Sequence, residues 1–168
     1  FPDQLSVTAP YVNATLFEQA GIEMPHLVMD EPTWDDWFAA AREVAEITEV
    51  PYVFTIDNKG HRFAGPAMVY GTEFFDDAGN FSLDDENDQG FREFAEVLKG
   101  MIETAETPAE TWLTGEGFAS ADSYFSNVQT PLYYSGSWQI SNFANTIGDA
   151  FDWIVAPNPH GPGGSTGM

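Results

Sequence analysis

Apolar residues recur along this chain with two periods. Leu5, Val7, Ala9 and Tyr11 alternate with their neighbours, the spacing of a half-buried strand, and Pro10 puts its later part at an edge or bend. Asn13 then stands as the cap of a short helix over 14–19, closed by Ala20-Gly21. Residues 25–32 read as loop. Thr33 with a carboxylate three positions on, Asp36, precedes a stripe of Trp37, Phe38, Ala41, Val44, Ala45 and Ile47, which predicts a helix from Trp34 to about Thr48.

Tyr52–Ile56 is β-branched and aromatic and predicts a strand ending in the turn Asp57–Gly60. His61–Gly65 reads as loop, and Pro66–Tyr70 as a helix with proline in its first turn. Phe74-Phe75 and Phe81-Ser82 flank a turn and suggest a small hairpin. The longest helix is predicted from Asp84 to about Thr104, with Phe91, Phe94, Leu98 and Met101 on one face, and Gly100 weakening it by about 1 kcal/mol. Thr107–Gly117 is a loop holding Trp112, and Phe118–Asn127 a short helix.

The stretch from Thr130 to Ile147 organises the rest. Pro131–Tyr134 is a short apolar strand that stops at Ser135-Gly136-Ser137; Ser137 is then expected to cap a helix carrying Trp138, Ile140, Phe143, Ala144 and Ile147. A strand that turns through glycine into a helix aims free N–H groups and an aromatic face at one point. Phe151–Val155 is a further strand, and residues 156–168 are Pro/Gly-rich without periodicity. Strands and helices alternate, which predicts an α/β fold with helices packed on a central sheet.

Charge narrows the partners. Of 168 residues, 27 are Asp or Glu and only five are Lys or Arg, for a formal net charge of −22. Such a surface repels phosphates and anionic lipid, so neither nucleic acid nor membrane surface is expected as a partner. The acids run from Asp3 to Asp152, a spread that favours adaptation to concentrated salt over one acidic patch for a basic partner. With no cysteine, disulfides, thiolate metal sites and cysteine nucleophiles are excluded. The chain opens at Phe1 without a signal peptide and reads as an internal piece of a longer protein.

Carboxylates are too common here for any pair to mark acid/base chemistry. His26, His61 and His160 lie far apart, so no metal site and no cofactor are expected. Asp85 to Glu96 approaches a calcium loop, but Phe91, Phe94 and Leu98 make it the start of an amphipathic helix instead. Ser135-Gly136-Ser137 lacks the flanking glycines of a nucleophile elbow. The remaining signal is aromatic residues near glycine turns: Trp138 after Gly136, Phe63 before Gly65, Trp112 before Gly115. Trp138 is the one expected to face a ligand, at an element end where binding residues concentrate. Sugar rings offer apolar C–H faces to such a side chain and hydroxyls to donors such as Arg62 and His61.

In their order, these motifs resemble the sugar-binding family of extracellular solute-binding proteins that serve ABC importers. Tyr11-Val-Asn-Ala-Thr-Leu-Phe-Glu-Gln-Ala-Gly21 is similar to the family's Tyr-Tyr-Asn-Lys-Asp-Leu-Phe-Glu-Glu-Ala-Gly segment, and Pro32-Thr-Trp-Asp-Asp36 to its Pro-Thr-Trp helix start. Tyr134-Ser-Gly-Ser-Trp138 resembles its strand-to-helix element, and 151–164 its stretch returning toward the other lobe. Val12 and Ala14 depart from the pattern. The resemblance implies a three-layer type II periplasmic-binding lobe with a mixed sheet. Residues 1–158 would be the second lobe of a two-lobed receptor, and 159–168 a segment crossing toward the first. It implies Trp138 as a stacking residue presented by Gly136 and Ser137, with His61, Arg62 and Phe63 as loop contacts; Trp112 joins them as a further aromatic candidate.

The implied function is non-enzymatic: capture of a sugar or oligosaccharide in an interlobe cleft and delivery to a membrane permease, by a monomer anchored outside a haloarchaeal cell. The alternatives are a secreted carbohydrate-active enzyme with an acidic pair, or a receptor of the same fold for a cationic or peptide solute.

Overall fold

The computed structural model describes residues 6–83, 88–112 and 119–165. Four strands form one mixed sheet in the order β2-β3-β1-β4. The central pair is β1 (Thr8–Asn13) and β3 (Leu132–Gly136), antiparallel, with Thr8 opposite Gly136 and Tyr11 opposite Tyr133. β2 (Phe54–Ile56) lies parallel to β3 on one side, and β4 (Trp153–Val155) antiparallel to β1 on the other. The parallel pairing requires the long crossover between β2 and β3, which contains three of the helices.

Successive side chains of a strand point to opposite faces, and the two central strands use this to build two cores. Val12, Leu132 and Tyr134 face a cluster with Trp34, Trp37, Phe38, Phe54, Phe94 and Leu98. Tyr11 and Tyr133 face the other way, against Phe125, Phe143, Ile147 and Phe151. The first face is covered by α1 (Ala14–Ala20), α3 (Trp34–Thr48), α4 (Gly60–Val69) and α5 (Gln89–Glu103), the second by α6 (Ala121–Ser126) and α7 (Gln139–Thr146). The predicted three-layer α/β arrangement is the one found.

Local signals placed several helices well. The Asn13 side chain accepts from the Leu16 N–H, and α1 ends at Gly21. Thr33 and Asp36 form the reciprocal capping box that starts α3, with Asp36 Oδ2 accepting from the Thr33 N–H at 2.8 Å and from its hydroxyl at 2.6 Å. Elsewhere the sequence reading needs correction. Within the expected loop 25–32, Pro25–Val28 is a short helix, α2, because proline suits a first helical position. The Phe74/Phe81 hairpin reduces to one bridge between Phe75 and Phe81. Trp112 ends a turn of 3-10 helix, Ala109–Trp112.

Part of the predicted α5 start and of the calcium-loop comparison, residues 84–87, lies outside the described residues, as do 113–118 of the Trp112 loop and the next helix start. The Pro/Gly-rich segment after β4 returns to the first face: His160 bridges to Thr33, and the Gly163 N–H donates to the Val69 carbonyl at 3.0 Å.

Candidate functional site

β3 delivers the site. Its last residue, Gly136, has its carbonyl oxygen held by the Tyr11 hydroxyl at 2.7 Å, so the strand end is fixed to the neighbouring strand. Ser137 does not cap the following helix as expected. Its N–H donates to the Val7 carbonyl at 2.8 Å, and its Oγ accepts from the Val7 N–H at 3.4 Å, so it prolongs the contact between the two central strands. Trp138 takes the N-cap position instead, with helical φ and ψ and no side-chain cap.

The helix therefore turns a different face inward from the one its apolar residues suggested. Phe143 and Ile147 are buried, but Ile140 is 46% exposed and Gln139 only 7%. The buried amide has partners: Gln139 Nε2 donates to the Tyr133 hydroxyl at 3.1 Å, and its Oε1 accepts from Asn142 at 2.7 Å. Trp138 remains 41% exposed, its ring lying over Gly136.

The residues expected in a loop after β2 are helical. α4 begins at Gly60, so His61 and Arg62 stand in its first turn, and Pro66 lies inside the helix rather than at its start. Proline removes the N–H that would bond the Arg62 carbonyl, a loss offset by the packing of α4 on α5 and β3. This first turn points at Trp138. The Arg62 guanidinium carbon sits 4.0 Å from the centroid of the Trp138 ring, a cation–π distance, and the His61 ring meets the same indole edge-on at 6.3 Å. Burial, and then the positive charge of Arg62, hold the His61 imidazole below its ordinary pKa, so it is neutral at physiological pH.

Behind them lies a residue that the sequence reading left as an ordinary turn position. Asp57 Oδ2 accepts from Arg62 Nε at 3.2 Å, from the Tyr133 hydroxyl at 3.1 Å and from Ser135 Oγ at 3.2 Å. Burial, then the Asp57 charge, push the Tyr133 phenol well above its ordinary pKa, so it stays a neutral donor. One signal for Asp57 was present in the sequence, its position just past a strand end. Tyr133, Ser135 and Gln139 gave none, because their roles depend on which face each presents.

Thus Trp138, Gly136, Ser137, Arg62 and His61 come together, whereas Phe63 and Trp112 line a neighbouring cavity that also reaches Asp57. The Phe63 ring packs on Phe91 and Phe94, with centroids 4.6 and 4.9 Å away. With Trp112 it lines a cavity of about 360 Å³ between Asp57–Gly60 and Phe91, closed on one side by Asn58 Nδ2 donating to the Trp112 carbonyl at 2.9 Å. A larger, apolar cavity of about 550 Å³ lies between α4 and Phe75 and Phe81. It contains none of the Trp138 group, and size alone does not make it the site. Among the described residues no group of three or more His, Asp or Glu is placed to hold a metal ion, and no helix is long and apolar enough to cross a membrane.

Residues 3–167 match the family model of the bacterial extracellular solute-binding proteins. The chain belongs to this family. Among curated members it is 26% identical over 167 residues to the arabinooligosaccharide-binding protein of Halalkalibacterium halodurans, covering 94% of this chain and 34% of that protein. Solved structures share the fold. The GacH receptor of Streptomyces glaucescens, determined unliganded and with acarbose, superposes with a TM-score of 0.74 at 20% identity, over 96% of this chain and 39% of that one. An ABC substrate-binding protein of Listeria monocytogenes in complex with cycloalternan gives 0.73 at 21% identity, over 94% and 38%. A maltose-bound protein of T. maritima gives 0.72 at 19% identity, over 96% and 40%. The chain thus spans about a third of its curated relative and about two fifths of these solute-binding proteins, and its fold is their type II binding-protein fold.

Proposed function

We propose that this chain is the second lobe of an extracellular receptor that binds a carbohydrate between two lobes and hands it to an ABC permease, without catalysis. The observation that carries the reading is Trp138: a large aromatic ring left half-exposed at a strand-to-helix junction, resting on a glycine and held alongside Arg62 and His61. A half-exposed apolar indole beside the imidazole of His61 suits a sugar ring, which presents C–H groups on one face and hydroxyls at its edge. The names of the relatives agree, since those above bind arabino-oligosaccharide, acarbose, cycloalternan or maltose.

In this reading residues 159–168 lead toward the first lobe. Ligand favours closure to the extent that it binds the closed form more tightly than the open one. The receptor acts as a monomer held at the cell surface. Its acidity, spread over the whole chain, is the surface of a protein working in concentrated salt, as in a haloarchaeon.

Calorimetry on the full-length protein with arabino-oligosaccharides, maltose and cyclic glucans tests this. Trp138→Ala is expected to cost about 2 kcal/mol or more, the scale of a binding hot spot, which is about a 30-fold loss of affinity. Unchanged affinity removes Trp138 from the site. Steady release of reducing sugar by the protein would assign it to the carbohydrate-active enzymes instead.

A further inference from the structure

Asp57 takes no part in the expected set of ligand contacts, yet three side chains converge on one of its carboxylate oxygens. Two of them, Tyr133 and Ser135, come from β3, and the third, Arg62, from the first turn of α4. Arg62 is only 7% exposed, and its Nη1 is buried without a hydrogen-bond partner. Its bond to Asp57 is therefore what orients the guanidinium plane, and that guanidinium lies 4.0 Å from the centre of the Trp138 ring. Gly136 gives the Trp138 ring room and His61 touches it edge-on.

We infer that Asp57 is a positioning residue for the candidate site, acting through Arg62 to hold the Trp138 ring in place before any ligand arrives. The inference rests on Trp138 being the ligand-stacking residue. The physical reasoning is direct. A buried guanidinium without its carboxylate carries an uncompensated charge and moves toward water. An indole that loses the cation beside it regains freedom to rotate, and a ligand must then order it on binding. Tyr133 and Ser135 fix the carboxylate in turn, and Gln139 fixes the Tyr133 hydroxyl, so the arrangement is anchored in the central sheet.

Two readings on the full-length protein test this. The first needs no ligand. In ¹⁵N-labelled protein the Trp138 indole N–H resonance is assigned by its loss in Trp138→Phe, and Asp57→Asn is expected to shift and broaden it. Arg62→Lys, which keeps the charge but lacks the planar face and the Nε donor, should do the same and serves if Asp57→Asn does not fold.

The second reading is calorimetric. Asp57→Asn should lower arabino-oligosaccharide affinity about tenfold in the parent and leave it unchanged in a Trp138→Ala background, because the effect passes through that ring. A Trp138 resonance unmoved in the folded variants overturns the inference, as does an equal loss of affinity with and without Trp138. If the parent binds no oligosaccharide at all, the receptor reading fails, and the resonance alone decides whether Asp57 positions the ring.

Discussion

Gly136 lies flat against the six-membered ring of Trp138, so that a methyl group added to its Cα would overlap Cη2 and Cζ3 of the indole. Glycine is required here for space. In Gly136→Ala the indole must swing away from the strand end, and the stacking surface proposed above moves with it. The expected result is at least a tenfold loss of oligosaccharide affinity by calorimetry in the full-length protein. A variant that binds normally would show that the ring's place on Gly136 is not what a ligand uses.

Two glycines of the same helix should respond in opposite directions. A Cβ on Gly90 would fall 2.6 Å from the carbonyl carbon and oxygen of Tyr70 and 2.7 Å from the Thr72 nitrogen. These are backbone atoms at the end of α4, so Gly90→Ala must separate the two helices. A cost of about 1–3 kcal/mol is expected for such overpacking. Around Gly100 nothing lies within 4 Å, so Gly100→Ala should stabilise by about 0.5–1 kcal/mol through helix propensity and a less free unfolded chain. Urea denaturation reads both, and a shared sign would contradict the described docking of α5 on α4.

Thr33→Ala removes the capping box of α3 and should cost about 1 kcal/mol at neutral pH. The Thr33 hydroxyl, and then its N–H, hold the Asp36 carboxyl below its ordinary pKa. A carboxyl lowered in the folded state stabilises above its unfolded pKa, and loses that contribution as pH falls through the folded value. The gap between parent and variant should therefore narrow on acidification below the ordinary carboxylate range, leaving the part carried by the Asp36 N–H bond to Thr33 Oγ1. Denaturation midpoints at stepwise lower pH check this; a gap of unchanged size in acid would mean the cap acts without the Asp36 carboxylate.

What the sequence made legible was local. Asn13 and the Thr33/Asp36 pair announce helix starts through partners three residues away, and Trp34–Thr48 runs over the predicted span. The site itself depended on longer reach. β3 extends to Gly136 because Ser135 and Gly136 pair with Ala9 and Thr8, which a turn-rich Ser-Gly-Ser does not reveal. α4 starts at Gly60 rather than Pro66, since packing of the helix on the sheet outweighs the usual place of proline. Asp57 reads as a turn residue because two of its three partners lie 76 and 78 positions away. Phe63 and Arg62 part for a related reason: adjacent helical positions diverge by about 100°, so one lies against Trp138 and the other packs on Phe94.

The strand at the middle of the sheet is made long before either of its neighbours. β1 pairs with β3 from Thr8↔Gly136 onward and with β4 up to Asn13↔Trp153. At a synthesis rate of about 5–20 residues per second, it waits on the order of ten seconds for its first partner. During that interval both of its edges are open to the wrong strand. Pro10, which offers no N–H in the middle of β1, makes it a poorer template for strangers, while β3, the first of its two partners to be made, ends at Gly136, two residues before Trp138. Pairing of the two central strands and placement of the Trp138 ring are thus one event on the growing chain.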